Sequence, residues 1–110
     1  MEEPKTPTHL LAAGRELWKA SLADVEFSPQ ELSILEEACR TRDNVRALDA
    51  AVRKDGVMIA SSQGSRLHPA IAEARQQRRV LAQMLVTLQI PGLDDDLPNT
   101  RSVRGLHGKA

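Results

Sequence analysis

Aromatic side chains are almost missing from this 110-residue chain, which has one Trp18, one Phe27 and no tyrosine. An aromatic cage for a cation, or a stacking platform for unpaired bases, therefore cannot be assembled within one subunit. Cysteine is equally scarce. A lone Cys39 cannot close an intramolecular disulfide or build a thiolate zinc cluster, and its isolation fits a reducing compartment. No apolar run approaches the roughly 20 residues needed to cross a bilayer. Residues 1–7 carry Glu2 and Glu3 and lack the basic and apolar segments of a signal peptide, so a soluble intracellular protein is expected. Net charge is missing too: 15 basic residues against 15 acidic ones exclude a uniformly basic nucleic-acid coat and an acidic solvating chain. The phosphate-cradling pattern Gly-x-x-x-x-Gly-Lys does not occur.

The hydrophobic residues that are present are mostly alanine and leucine, 14 of each. A chain of this size buries only about two thirds of its unfolded surface. Such a plain core calls for a partner subunit. The composition and spacing predict a mainly α fold: a three-helix subunit with a long central helix, a small β-hairpin or flap between helices two and three, and flexible termini. The core domain is placed at 9–92, between a lead at 1–8 and a tail at 93–110. Leu10, Leu11, Leu17, Trp18 and Leu22 recur near helical spacing and predict a first helix over about 9–22, capped by Thr8. Gly14 weakens that helix or lets another approach it closely.

Ser28-Pro29-Gln30-Glu31 carries both halves of a capping box, with proline suited to the first helical position. A helix begins there. Leu32, Leu35, Ala38, Cys39, Val45, Leu48 and Val52 hold one face until Lys54-Asp55-Gly56 ends it. Residues 57–68 change pattern, with Val57-Met58-Ile59-Ala60 and Arg66-Leu67-His68 flanking a small polar stretch, as in a hairpin. Pro69 then opens a third helix that runs to about Gln89 before Pro91-Gly92, with Ile71, Ala74, Leu81, Leu85 and Leu88 on its apolar face. Arg78 falls where that series calls for an apolar group.

Local charge counts uncover what the total hides. Residues 65–90 hold four basic side chains and one acidic, the only clearly positive segment. Within it Arg75, Arg78 and Arg79, spaced i, i+3 and i+4, lie on neighbouring rows of one helix and can grip a phosphate backbone together. The alternative is that Arg75 and Arg79 pair with acids of neighbouring helices. His9, His68 and His107 fall in separate elements without acids or cysteines at ligand spacing, so no metal site and no cofactor are expected. Cys39, beside Ala38 on an apolar helix face, reads as a small core residue. No nucleophile, acid–base pair or nucleotide loop emerges, and the chain is not read as an enzyme.

Several stretches taken in order resemble the small terminase subunits of tailed bacteriophages and prophages. They are Leu11-Ala12-Ala13-Gly14-Arg15-Glu16-Leu17-Trp18, Glu31 to Arg40, Gly64-Ser65-Arg66-Leu67-His68-Pro69-Ala70, Glu73 to Arg78, and Leu88-Gln89-Ile90-Pro91. The resemblance spans roughly residues 10–92. It implies a non-catalytic component of a genome-packaging motor in the cytoplasm of the bacterial host. Such a subunit binds double-stranded viral DNA, forms a homo-oligomeric ring and presents the DNA to the terminase large subunit, which carries the ATPase and nuclease. The separate N-terminal helix-turn-helix domain of some small terminases is not visible in so short a lead. DNA contact therefore falls to the core or the tails, with Arg75, Arg78 and Arg79 as the main phosphate contacts and Arg66 on the flap and Arg42 and Arg46 on the long helix as secondary candidates. The tail, with Asp94, Asp95 and Asp96 ahead of Arg101 and Arg104, is either a docking peptide for the large subunit or a solubilising extension. Two other classes compete: a helical DNA-binding regulator, which calls for a tight helix-turn-helix, and a structural adaptor or scaffolding protein without DNA affinity.

Overall fold

A computed structural model describes residues 3–90 of the chain. The expected tail at 93–110, the Pro91-Gly92 stop and the first two residues of the lead lie outside the described residues. The element order is α1 (Ala12–Asp24), α2 (Pro29–Asp55), β1 (Met58–Ser61), β2 (Gly64–Leu67) and α3 (Pro69–Leu88). The fold is thus mainly helical, with a small antiparallel hairpin between the second and third helices. No helix among the described residues is long and apolar enough to cross a membrane.

The long central helix starts where its capping box lies. Ser28 Oγ accepts from the Glu31 amide at 3.2 Å, and the Ser28 amide donates to Glu31 Oε1 at 2.8 Å, satisfying two backbone donors that would otherwise be exposed to competition from water. At the other end Gly56 turns the chain with φ 91°, its amide donating to the Val52 carbonyl at 2.7 Å. The 27 residues between make a rod of about 40 Å.

The other two helices pack on this rod along different lengths and sides. α3 runs back antiparallel beside it, with Leu81 and Leu85 against Ala38, and Leu88 in a cluster with Leu35 and Cys39. α1 covers only the first half of α2, contributing Trp18 and Leu22 to that same cluster, which Leu10 completes. The core therefore sits at one end of the molecule, as a three-helix layer. Beyond Val45 the molecule thins to two helices, and Leu48 and Val52, expected on the buried face, are only half-buried. Trp18 Nε1 and Ser21 Oγ, buried a turn apart on α1, find no hydrogen-bond partner among the described residues, a cost of about 1–3 kcal/mol each that the surrounding apolar burial must offset.

The start of α1 departs from expectation. Thr8 lies in a turn and does not cap the helix, which begins only at Ala12 with Leu11 at the cap position and no side-chain bond from it. The cap comes instead from across the interface: Asp43 of α2 accepts from the Leu11 amide at 2.8 Å and from the Gly14 amide at 2.7 Å. A carboxylate here also answers the positive end of the helix dipole. Because the helix starts beyond Leu11, that side chain is 65% exposed and is not part of the apolar face. Gly14 proves to be a contact glycine. A Cβ there would stand 2.5 Å from Asp43 Oδ2 and 2.7 Å from the Cys39 carbonyl oxygen.

Candidate nucleic-acid interface

The second half of α2, the hairpin and the first half of α3 form the thin end of the molecule, where most basic residues gather. Residues 40–79 hold nine basic and four acidic side chains, a net +5, whereas 3–39 and 80–90 together hold three basic and seven acidic, a net −4. The fold sets these halves at opposite ends because the uncharged stretch 80–90 returns along the acidic first part of α2. Within a chain of no net charge, the described residues are therefore polarised along their long axis.

Pro69 opens α3 at its first position, where its missing amide is harmless. The imidazole of His68, 8% exposed, supplies the cap: Nδ1 accepts from the Ala70 amide at 3.1 Å, and with the ring proton on Nε2 the other side donates to Asp55 Oδ2 at 3.0 Å. One side chain thus ties the last residue of α2 to the first turn of α3. The His68 amide also donates to the Val57 carbonyl at 2.7 Å. The hairpin is held at its base by these bonds.

On α3 the buried row is Ala70, Ala74, Leu81, Leu85 and Leu88. At 100° per residue Arg79 stands roughly 140–160° from Ala74 and Leu81, nearly opposite, and Arg75 lies one turn earlier beside it. Both are exposed, and neither has an ion-pair or hydrogen-bond partner among the described residues. Arg78 is different. It flanks the buried row and its guanidinium turns to α2, where it pairs with Asp49. Two of the three arginines thus share an outward face, and the third is already neutralised.

The secondary arginines are spread rather than gathered. Arg66 is exposed on β2, opposite Ile59 in the hairpin register. Arg46 is exposed on α2, and Arg42, one turn earlier, is half-buried close enough to Cys39 to act on its thiol. Burial pushes that thiol up to about 12, the carboxylates of Asp43 and Glu36 adding to the rise, so Cys39 is inert in the folded chain. The chain matches no family model, and no curated protein or solved structure matches it either. The site is therefore read from its own chemistry: exposed guanidinium groups, a basic half, and no cluster of three metal-ligating side chains among the described residues.

Sequence reasoning missed three features of this surface. The Arg78–Asp49 pair joins residues 29 apart and leaves no local signal. The axial charge separation depends on where α3 turns back. The pairing of exposed Met58 with Leu67 was accessible, since both lie symmetrically about the two-residue turn Ser62-Gln63.

Proposed function

We propose that this chain is the small, non-catalytic subunit of a phage terminase, a homo-oligomer that binds double-stranded viral DNA through phosphate contacts and presents it to the large ATPase and nuclease subunit. The observation that carries the reading is the outward pair Arg75 and Arg79 on the basic half of the molecule, without partners among the described residues. Charged groups without partners among the described residues are free to replace counterions on a phosphate backbone, and an oligomer presents one such pair per subunit. Arg78, its charge offset by Asp49, is a third contact only where phosphate displaces that carboxylate, and Arg66, Arg42 and Arg46 are secondary contacts. The rival helix-turn-helix regulator is disfavoured by the 13-residue connection 56–68, which holds a hairpin where that motif needs a tight turn.

The test is fluorescence anisotropy of labelled duplex DNA titrated across a range of salt. Binding by the native chain should weaken steeply as salt rises. The double variant Arg75→Ala, Arg79→Ala should lose affinity at every duplex sequence tried and flatten the log K against log[salt] slope by about 2 per engaged subunit. Unchanged affinity of that variant at low salt refutes the assignment. Native chain that binds no duplex at low salt leaves the adaptor reading in its place.

A further inference from the structure

Two apolar surfaces at opposite ends of the molecule are left uncovered by the described residues. At the thin end, the hairpin register places Met58 directly across from Leu67, and the two are each 53% exposed. Ile59 and Ser61, which alternate to the other face, are the half-buried ones, so the Met58–Leu67 face is the one turned to solvent. At the thick end, an open groove of about 430 Å³ runs between the first half of α2 and the second half of α3, lined chiefly by Ile34, Glu37, Val80, Gln83 and Met84. At 100° per residue Ile34 and Glu37 stand about 120–180° around α2 from Cys39 and Asp43, which the Gly14 stretch of α1 approaches, and only the inner edge of Ile34 meets the cluster that α1 helps to build. There α1 covers one flank of the α2–α3 pair, and nothing in this chain's described residues covers the other.

We propose that a second copy of this chain fills that groove, seating the Met58–Leu67 face of its hairpin between Ile34, Val80 and Met84, so that copies associate head to tail. Three observations point to this occupant rather than another. The surfaces are alike in chemistry, small and apolar with a polar rim. They are joined by rigid helix, about 32 Å of α2 between Ile34 and Asp55, so a hairpin cannot reach its own groove. The charges also match: the hairpin sits on the +5 half and the groove on the −4 half, so head-to-tail contact brings each half against its opposite. Side-by-side pairing of like ends would set positive against positive. Arg66 lies on the opposite face of the hairpin from Met58 and Leu67, and Arg75 lies on the side of α3 turned from the groove, so docking leaves both free, while Arg79, one turn before Gln83, borders the groove without lining it. A contact between two different surfaces leaves every open assembly with one groove and one hairpin unfilled, and it therefore continues until it closes as a ring or runs on as a filament. The inference rests on the proposed function only in its self-association, and its test uses no DNA, so the two fail separately.

The experiment places single cysteines at Met58→Cys and at Val80→Cys in the full chain and treats each with a short bis-maleimide below pH 8; native Cys39, buried and with its thiol raised to about 12, serves as the silent background. Each variant alone should remain at chain mass on a denaturing gel. An equimolar mixture should give a covalent dimer, and the double variant a ladder. Cross-linking of Met58→Cys alone as strongly as in the mixture would show hairpin-to-hairpin pairing and overturn the proposal, as would no cross-linking in the mixture. In sedimentation, Leu67→Asp should weaken self-association at least about tenfold, the scale set by burying one leucine, with helical circular dichroism unchanged. An unaltered oligomer from that variant also overturns it. Arg75→Ala, Arg79→Ala should cross-link like the parent.

Discussion

Replacing Gly14 with alanine reverses the usual sign of that substitution. In an exposed helix interior, alanine gains about 1 kcal/mol over glycine because it restricts the unfolded chain and suits helical geometry. Here the added Cβ meets Asp43 Oδ2 at 2.5 Å and the Cys39 carbonyl oxygen at 2.7 Å. The carboxylate can swing aside, but only by giving up its bonds to the Leu11 and Gly14 amides, an exchange worth about 1–2 kcal/mol for a helix cap. The carbonyl cannot swing. It belongs to the backbone of α2, so the helices must separate by several tenths of an ångström, costing another 1–3 kcal/mol or so in lost packing. Against the propensity gain the net is a destabilisation of about 2 kcal/mol, or roughly 8–16 °C in Tm for a domain this small. Thermal and urea unfolding followed by circular dichroism measure it, at fixed protein concentration because self-association shifts the midpoint. A cycle with Asp43→Ala separates the parts. Once the carboxylate is gone, Gly14→Ala should cost less than in the native chain yet still destabilise, since the carbonyl contact remains. A Tm for Gly14→Ala at or above the native value refutes the close helix approach.

Two further outcomes follow from single side chains. Cys39 should resist thiol reagents at pH 8 and react only as the chain unfolds. Its pKa is higher folded, about 12, than its unfolded value of 9.0, so its contribution to stability is intact below about pH 9 and declines as pH rises toward 12, which unfolding across that range would reveal. His68→Ala removes the α3 cap and the link to Asp55. It should cost about 1–2 kcal/mol and raise hydrogen exchange most at the amides of Ala70 and its neighbours; protection there equal to the native chain would show that the imidazole does not hold the helix.

The elements themselves were legible because each carries its own local chemistry. Ser28, Pro29 and Glu31 specify a helix start whatever surrounds them, Gly56 specifies its end, and Pro69 the start of the next. The hairpin followed from the break in helical spacing after Asp55. Where the cap was not local, reading along the chain failed. Thr8 is a competent capping residue three positions too early, and the carboxylate that caps α1 arrives from Asp43, more than thirty residues away. Leu11 was misplaced for the same reason, since the face it joins depends on where the helix begins.

The arginines divide along the same line. Helical periodicity alone sets Arg75 and Arg79 on one exposed row and Arg78 on the flank of the buried one, because a turn of 3.6 residues leaves no freedom in the matter. Which of them stays free was decided by tertiary packing, when Asp49 on α2 came level with Arg78. The same packing set the nine basic and four acidic side chains of 40–79 at one end of the described residues and the three basic and seven acidic ones of 3–39 at the other. Local interactions within a few residues are written in the order of the chain, whereas contacts between helices depend on how far and on which side one rod lies against another.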